Sequence, residues 1–236
     1  MPNVLDVEFD RFADEYEEDH AASIRLSGER PDYFHRYKIV DLARTAAARG
    51  LAPRRILDFG AGVGNSVPFM RAAFPDAEIT CIDPSRRSLD IAEQRFPGMA
   101  DFVDFDGKAI PHPDASFDLV FTACVFHHIP EEMHVGLLGE IERVLTPGGS
   151  FLLYEHNPAN PLTRHAVNTC AFDENAVLIG AKEMRRRVLA AGFASADIAF
   201  RVFFPRALAA FRPLEHMLWG VPLGAQYHIH AIRRAG

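Results

Sequence analysis

The sequence predicts a doubly wound α/β fold, with a mainly parallel sheet of seven strands and helices on its faces. Two observations carry that prediction. From residue 51 onward, short apolar runs bounded by Gly, Pro, Asn and Asp alternate with helical patterns, the signature of βαβ units. The first apolar run ends in a turn with glycine at positions 60, 62 and 64, where sheets of this kind accept ligands. A length of 236 residues, 48% hydrophobic and 24% charged, suits one globular domain with an ordinary core.

The elements follow in order. Residues 1–50 carry helical patterns with aromatics (Phe9, Phe12, Tyr16, Tyr33, Phe34, Tyr37) and no strand, so they are expected to form a helical cap. Arg55–Phe59 reads as a strand, Ser66–Ala73 as a helix stopped at Phe74-Pro75-Asp76, and Glu78–Ile82 as a second strand. Ser85–Phe96 is an amphipathic helix closed by Pro97-Gly98, and Asp101–Phe105 a short third strand. Phe117–Thr122 is apolar enough for a central strand covered on both faces. Glu131–Val144 is a helix ended by Thr146-Pro147-Gly148-Gly149, and Ser150–Tyr154 the fifth strand. A Pro- and Asn-rich loop, a helix at Lys182–Ala191 and late strands at Ile198–Phe204 and Tyr227–Ile232 complete the chain. Between those strands, Pro205–Trp219 places Leu208, Phe211, Leu214, Leu218 and Trp219 at roughly helical spacing. Packing in the core or the acceptor pocket is expected for this segment, against a homodimer surface or contact with a lipid-linked acceptor.

Charge narrows the functional classes. The net charge of −7 comes largely from residues 1–20, where eight acids face Arg11, and this run reads as a solvated helix face. The remainder is balanced and has no basic stripe, which argues against nucleic acid as substrate. No run is long and apolar enough for stable membrane insertion, and the acidic start lacks a signal-peptide pattern, so a cytoplasmic location is expected. Cys81, Cys124 and Cys170 match neither a disulfide framework nor a zinc spacing and read as structural.

Glycines after a strand allow positive φ and close approach of a ligand to the backbone. Their G-x-G-x-G register departs from the G-x-G-x-x-G of dinucleotide binders. Asp83 closes the second strand, where a carboxylate can accept hydrogen bonds from both ribose hydroxyls. Asp106, after the third strand, could accept from an adenine amino group beside Gly107, or could simply form a turn.

Together these segments resemble the class I S-adenosylmethionine-dependent methyltransferases. The resemblance rests on Ile56-Leu57-Asp58-Phe59-Gly60-Ala61-Gly62-Val63-Gly64, the strand-end Asp83, Asp106 to Pro111, Phe117-Asp118-Leu119-Val120 and Arg143-Val144-Leu145-Thr146-Pro147-Gly148-Gly149. It implies a Rossmann-like fold divided into a cap (1–50), a cofactor-binding core (51–155) and acceptor-side elements (156–236). It further implies S-adenosylmethionine as cofactor. Gly60, Ala61 and Gly62 would line its methionine and ribose, with Asp58 holding the turn and Asp83 on the diol. Pro84, Asp106 and Gly107 would flank adenine, Ala123 would lie along the methionine, and Tyr16 or Tyr33 would cover the cofactor.

For the acceptor, His127 and His128 follow the fourth strand and are the candidates for a general base, His128 foremost. His156, Asn157, Asn160 and Arg164 form a polar cluster suited to a hydroxyl-rich acceptor. The two Asn-Pro pairs with Thr163-Arg164 and the later Pro222-Leu223-Gly224-Ala225-Gln226-Tyr227 resemble methyltransferases of sugar, polysaccharide and natural-product pathways, which implies a sugar, glycosidic or other small-molecule acceptor. A metal is disfavoured, because the two histidines are adjacent and no paired carboxylates stand beside them in sequence. Methyl transfer to oxygen is the leading expectation. A cyclisation or decarboxylation using the same cofactor, or a non-catalytic cofactor-binding module, stays open.

Overall fold

The computed structural model describes residues 22–170 and 173–235. After a short 3-10 turn comes α1 (Pro31–Ala48), and then β1 (Arg55–Phe59), α2 (Val67–Ala73), β2 (Glu78–Asp83), α3 (Arg86–Arg95) and β3 (Asp101–Asp104). β4 (Phe117–Ala123), α4 (His134–Val144), β5 (Leu145–His156), α5 (Pro161–Asn168), α6 (Ala181–Ala190), β6 (Ser195–Arg201) and β7 (Gln226–Ile232) follow. The seven strands form one sheet in the order β3-β2-β1-β4-β5-β7-β6. β1 to β5 run parallel, and β7 is antiparallel to both β5 and β6.

Alternation along each strand builds two apolar layers. Ile56, Ile79, Leu119 and Leu152 face α1 and α2, packing with Ile39, Leu42, Val67 and Met70. Their neighbours Leu57, Val120, Phe151 and Leu153 face α4 and α6, with Leu138, Ile141, Met184 and Val188. The strand order reverses at β1, which pairs with β2 on one side and β4 on the other. The crevice outside the carboxyl ends of these strands is the ligand position in such sheets.

One buried polar network ties the antiparallel edge to the cap. Asp41 of α1 accepts hydrogen bonds from Tyr154 of β5 (2.9 Å) and Arg201 of β6 (3.0 Å), and lies 2.8 Å from Nδ1 of His228 in β7. Burial opposes ionisation of Asp41, but His228 and Arg201 outweigh it and hold the carboxyl below its ordinary range.

Three expectations need correction. The loop after β5 contains α5, whose N-cap Asn160 accepts from the backbone N–H of Leu162 and Thr163, with Pro161 at the first helical position. The sixth strand ends at Arg201, before the expected Phe204, because Val202 takes a φ of 61° and turns the chain toward the crevice. The segment expected to pack inside is a 3-10 run, Arg206–Met217, broken at Leu208 (φ −112°, ψ 20°) and containing Pro213. Its Leu208, Phe211, Leu214 and Met217 are exposed, Met217 by 72%. No described helix is long and apolar enough to cross a membrane. Residues 1–20, with Tyr16 and the acidic run, lie outside the described residues.

Candidate active site

At the switch point the chain leaves β1 through Gly60, Gly62 and Gly64, with φ of 76°, 53° and 76°. The N–H groups of Gly60 and Ala61 both donate to Ile82 O, at 2.9 and 3.1 Å, which clamps the turn to the end of β2. A Cβ on Gly60 would meet Val125 at 2.5 Å, and one on Gly64 would meet Ala92 at 2.9 Å. Gly62 has nothing within 4 Å of that position, so its open side faces the cavity. Asp83 accepts from Gly62 N (2.8 Å) through one oxygen and from Ser85 N (2.9 Å) through the other.

The cavity runs from this turn across the ends of β4 and β5. Asp58, Gly60, Ala61, Gly62, Asp83, Pro84, Gly107 and Ala123 all line it, as do His127, His128, His156 and Asn160. Four expected residues do not. Asp106 is exposed and turned away, its carboxylate accepting from Lys108 N and Ala109 N as a turn former. Tyr33 lies under the guanidinium of Arg212, 4.6 Å from the ring centre; α1 presents Phe34, His35 and Lys38 to the cavity instead. Asn157 is buried but structural, donating to Pro222 O and Gly224 O. Arg164 is exposed on the outer face of α5, whose Leu162, Thr163 and Ala166 line the wall. The polar acceptor cluster therefore reduces to His156 and Asn160 on a largely apolar surface.

Asp58 and Asp83 place two buried carboxylates side by side, with Lys38 as the nearby cation. Burial first, then the charge of Asp83, raise the Asp58 pKa to about 7, with Lys38 working against the rise. Its folded value exceeds its unfolded one, so the stability it contributes is complete below about pH 4 and is lost as pH rises through about 7. Asp58→Asn should remove that loss, leaving the variant more stable than the native chain at pH 8 by roughly 4 kcal/mol at most. Denaturant unfolding at pH 5 and pH 8 measures it. An unchanged pH slope would contradict the assignment.

At the far end, Cys124 follows β4 with a φ of 60°, and its Sγ is 3.4 Å from Lys38 Nζ. Burial pushes the thiol up, but His156 and Lys38 outweigh it and bring it down to about 7. Cys124 is thus a cavity residue rather than the inert strand thiol expected from the sequence.

Beside it stand two histidines and two carboxylates. Glu155, at the end of β5, accepts from Val125 N (3.1 Å) and Phe126 N (2.8 Å) with one oxygen, and its other oxygen lies 2.6 Å from Nδ1 of His127. Asp173 Oδ1 is 3.5 Å from Nε2 of His127 and 3.3 Å from Nε2 of His128. Burial disfavours the charge on His127, but Glu155 and Asp173 outweigh it and raise its pKa well above the ordinary value. Burial likewise opposes ionisation of Glu155, yet His127 brings it down to about 2. For His128 burial wins, the His127 charge adds to it, and the pKa is lowered despite Asp173. One imidazole is held as a cation and the other as a neutral ring facing the cavity. The sequence argument against paired carboxylates fails here, because the fold brings Glu155 and Asp173 from distant segments. Asp173, Lys38 and Phe34 had no motif to reveal them.

A methyltransferase-domain family model matches residues 57–153. A trans-aconitate 2-methyltransferase of Methylobacterium nodulans is 31% identical over 195 residues, covering 77% of this chain and 72% of that enzyme. The chain belongs to the class I S-adenosylmethionine-dependent methyltransferases. A fatty-acid O-methyltransferase of Mycolicibacterium smegmatis is 32% identical over 145 residues, covering 61% of the chain and 51% of that enzyme. Apart from the trans-aconitate enzyme, the chain spans about half the length of the curated relatives it matches. Among solved structures, a methyltransferase of Thermotoga maritima shares the fold with a TM-score of 0.68 at 19% identity, covering 98% of this chain and all of that one.

The cavity of this methyltransferase fits the family's cofactor, S-adenosylmethionine. The carboxylate of Asp83 suits a ribose diol, and Pro84, Phe105 and Leu137 offer apolar surface to adenine. Gly62 leaves open space against its backbone, and the Asp58–Asp83 pair supplies negative charge where a cationic ligand would lie.

Proposed function

We propose that this methyltransferase transfers the methyl group of S-adenosylmethionine to a hydroxyl oxygen of a small, mainly apolar molecule. His128, a neutral imidazole on the cavity wall beside Asp173, is the observation that carries this reading. A hydroxyl is a weak nucleophile until it loses its proton, and a neutral imidazole is the side chain suited to take it near neutral pH. Bound S-adenosylmethionine supplies an electrophilic methyl on a sulfonium. His128 accepts the hydroxyl proton on its ring, and the resulting imidazolium is stabilised by the carboxylate of Asp173 at 3.3 Å. The His127–Glu155 ion pair holds the neighbouring ring in place, with ring centres 4.2 Å apart. Ile24, Phe34, Leu162, Val167 and Phe203 exclude water and favour an apolar acceptor over the sugar that the sequence motifs suggested. The fatty-acid enzyme among the relatives supports oxygen methylation of an apolar molecule.

The test is incubation with methyl-labelled S-adenosylmethionine and a panel of apolar alcohols, phenols and acids, with products located by mass spectrometry. Label on oxygen is expected. Label on carbon or nitrogen, or failure to bind S-adenosylmethionine and S-adenosylhomocysteine by calorimetry, would sink the reading.

A further inference from the structure

His127, His128 and Asp173 form a group whose metal-binding atoms all lie within 4.8 Å of one another. Two of the three separations, 3.3 and 3.5 Å, match the edges of a tetrahedron around an ion with bonds of about 2.0–2.2 Å, which are about 3.3–3.6 Å. Nε2 of His127 and Oδ1 of Asp173 are both buried and, 3.5 Å apart, face each other as an ion pair without a well-formed hydrogen bond. Such atoms carry a desolvation cost unless something occupies the point they face. Behind them, Glu155 holds Nδ1 of His127 at 2.6 Å, the carboxylate–histidine arrangement that orients a metal-binding imidazole and turns its other nitrogen to the ion. All three residues line the cavity, so a fourth position would open to it.

We propose that His127, His128 and Asp173 bind one zinc-class divalent ion, and that its occupancy blocks the methyltransferase. Two imidazoles and one carboxylate suit zinc and its neighbours rather than magnesium or calcium, which take oxygen ligands. Binding expels the proton that His127 carries between Glu155 and Asp173 in the metal-free site, after which the charges close: two neutral imidazoles, a dication, and the carboxylates of Asp173 and Glu155. The blocking role rests on the proposed base: with Nε2 of His128 on the ion, the neutral ring carries its one proton on Nδ1 and has no lone pair left for the acceptor's proton.

The test titrates purified, metal-free protein with cobalt(II) and with zinc, and does not depend on turnover. Cobalt should give the absorption bands of a tetrahedral nitrogen–oxygen site at one equivalent, displaced by zinc. Asp173→Asn should weaken zinc binding at least about tenfold, and Glu155→Gln by about 10–100-fold. Retained binding of S-adenosylhomocysteine shows that each variant is folded, and His128→Gln is a second ligand variant if Asp173→Asn is not. In the methyl-transfer assay, one equivalent of zinc should remove activity and a chelator should restore it. Absence of a one-to-one cobalt site, or zinc affinity unchanged in both ligand variants, overturns the site. A formed site with undiminished or increased activity overturns the blocking role.

Discussion

His128→Ala is expected to lower kcat by about 10²–10⁴-fold on acceptors whose hydroxyl is weakly acidic, the range for loss of a positioned base. The affinity for S-adenosylmethionine should be unchanged, because His128 stands at the β4 end of the cavity and Asp83 at the β2 end. KM for the acceptor should move little, since the wall residues stay. The acidity of the acceptor supplies the readout that a merely structural role would not move. Phenols of decreasing pKa should lose progressively less rate in the variant, and carboxylic acids, already ionised, should lose almost none. Added imidazole should restore part of the rate on the weakly acidic acceptors. Equal losses on all acceptors would show that His128 packs the site without moving a proton, and an unaltered kcat would remove it from the chemistry altogether.

The second large effect is at Asp83. Its carboxylate orders the glycine turn through Gly62 and faces the cavity where the ribose would lie. Hydrogen bonds to a charged group contribute about 1.5–3 kcal/mol each. Losing two of them costs about 3–6 kcal/mol, or 100-fold or more in cofactor affinity. Asp83→Ala should therefore raise the Kd for S-adenosylhomocysteine by at least about 100-fold. Asp83→Asn, which keeps one acceptor oxygen, should fall between. Calorimetry at constant pH measures both, and a Kd within about threefold of the native value in the alanine variant would refute the assignment. The same substitution removes the smaller of the two causes that raise Asp58, burial being the larger, so the pH dependence of stability should flatten only in part.

The cavity residues at the ends of β1, β2 and β4 were legible, Asp106 and Tyr33 aside, because a local pattern of apolar run, glycine turn and acid dictates position there. The segments read as β1 to β5 appear in order, with boundaries displaced by a few residues. The acceptor half was not, because its geometry is tertiary. Asp173 meets His127 only after β5, α5 and the chain beyond have folded over the site. Tyr33 was chosen as the cap residue for its aromatic ring, but α1 faces the cavity one residue later, through Phe34 and Lys38. The Asn-Pro pairs read as loop, whereas Asn160-Pro161 is an N-cap followed by a first-turn proline. The error at 206–217 lay in reading one helix where the chain makes short 3-10 pieces joined at a non-helical Leu208, which present no continuous apolar face to bury.

The network at Asp41 has a consequence for ligand exchange. Lys38 and Asp41 lie about one turn apart on α1, so the residue that reaches the cavity is anchored by the one bonded to β5, β6 and β7. Swinging this helix outward would strip a buried carboxylate of its partners, a far greater barrier than moving a surface turn. Cofactor and product are then expected to exchange past the segments carrying Ile24 and Phe203, which are held only by turn bonds such as Ser27 to Ile24 O and Phe203 N to Glu215, while α1 stays in place as a wall. Weakening the anchor should shorten their residence times and leave the chemical step untouched.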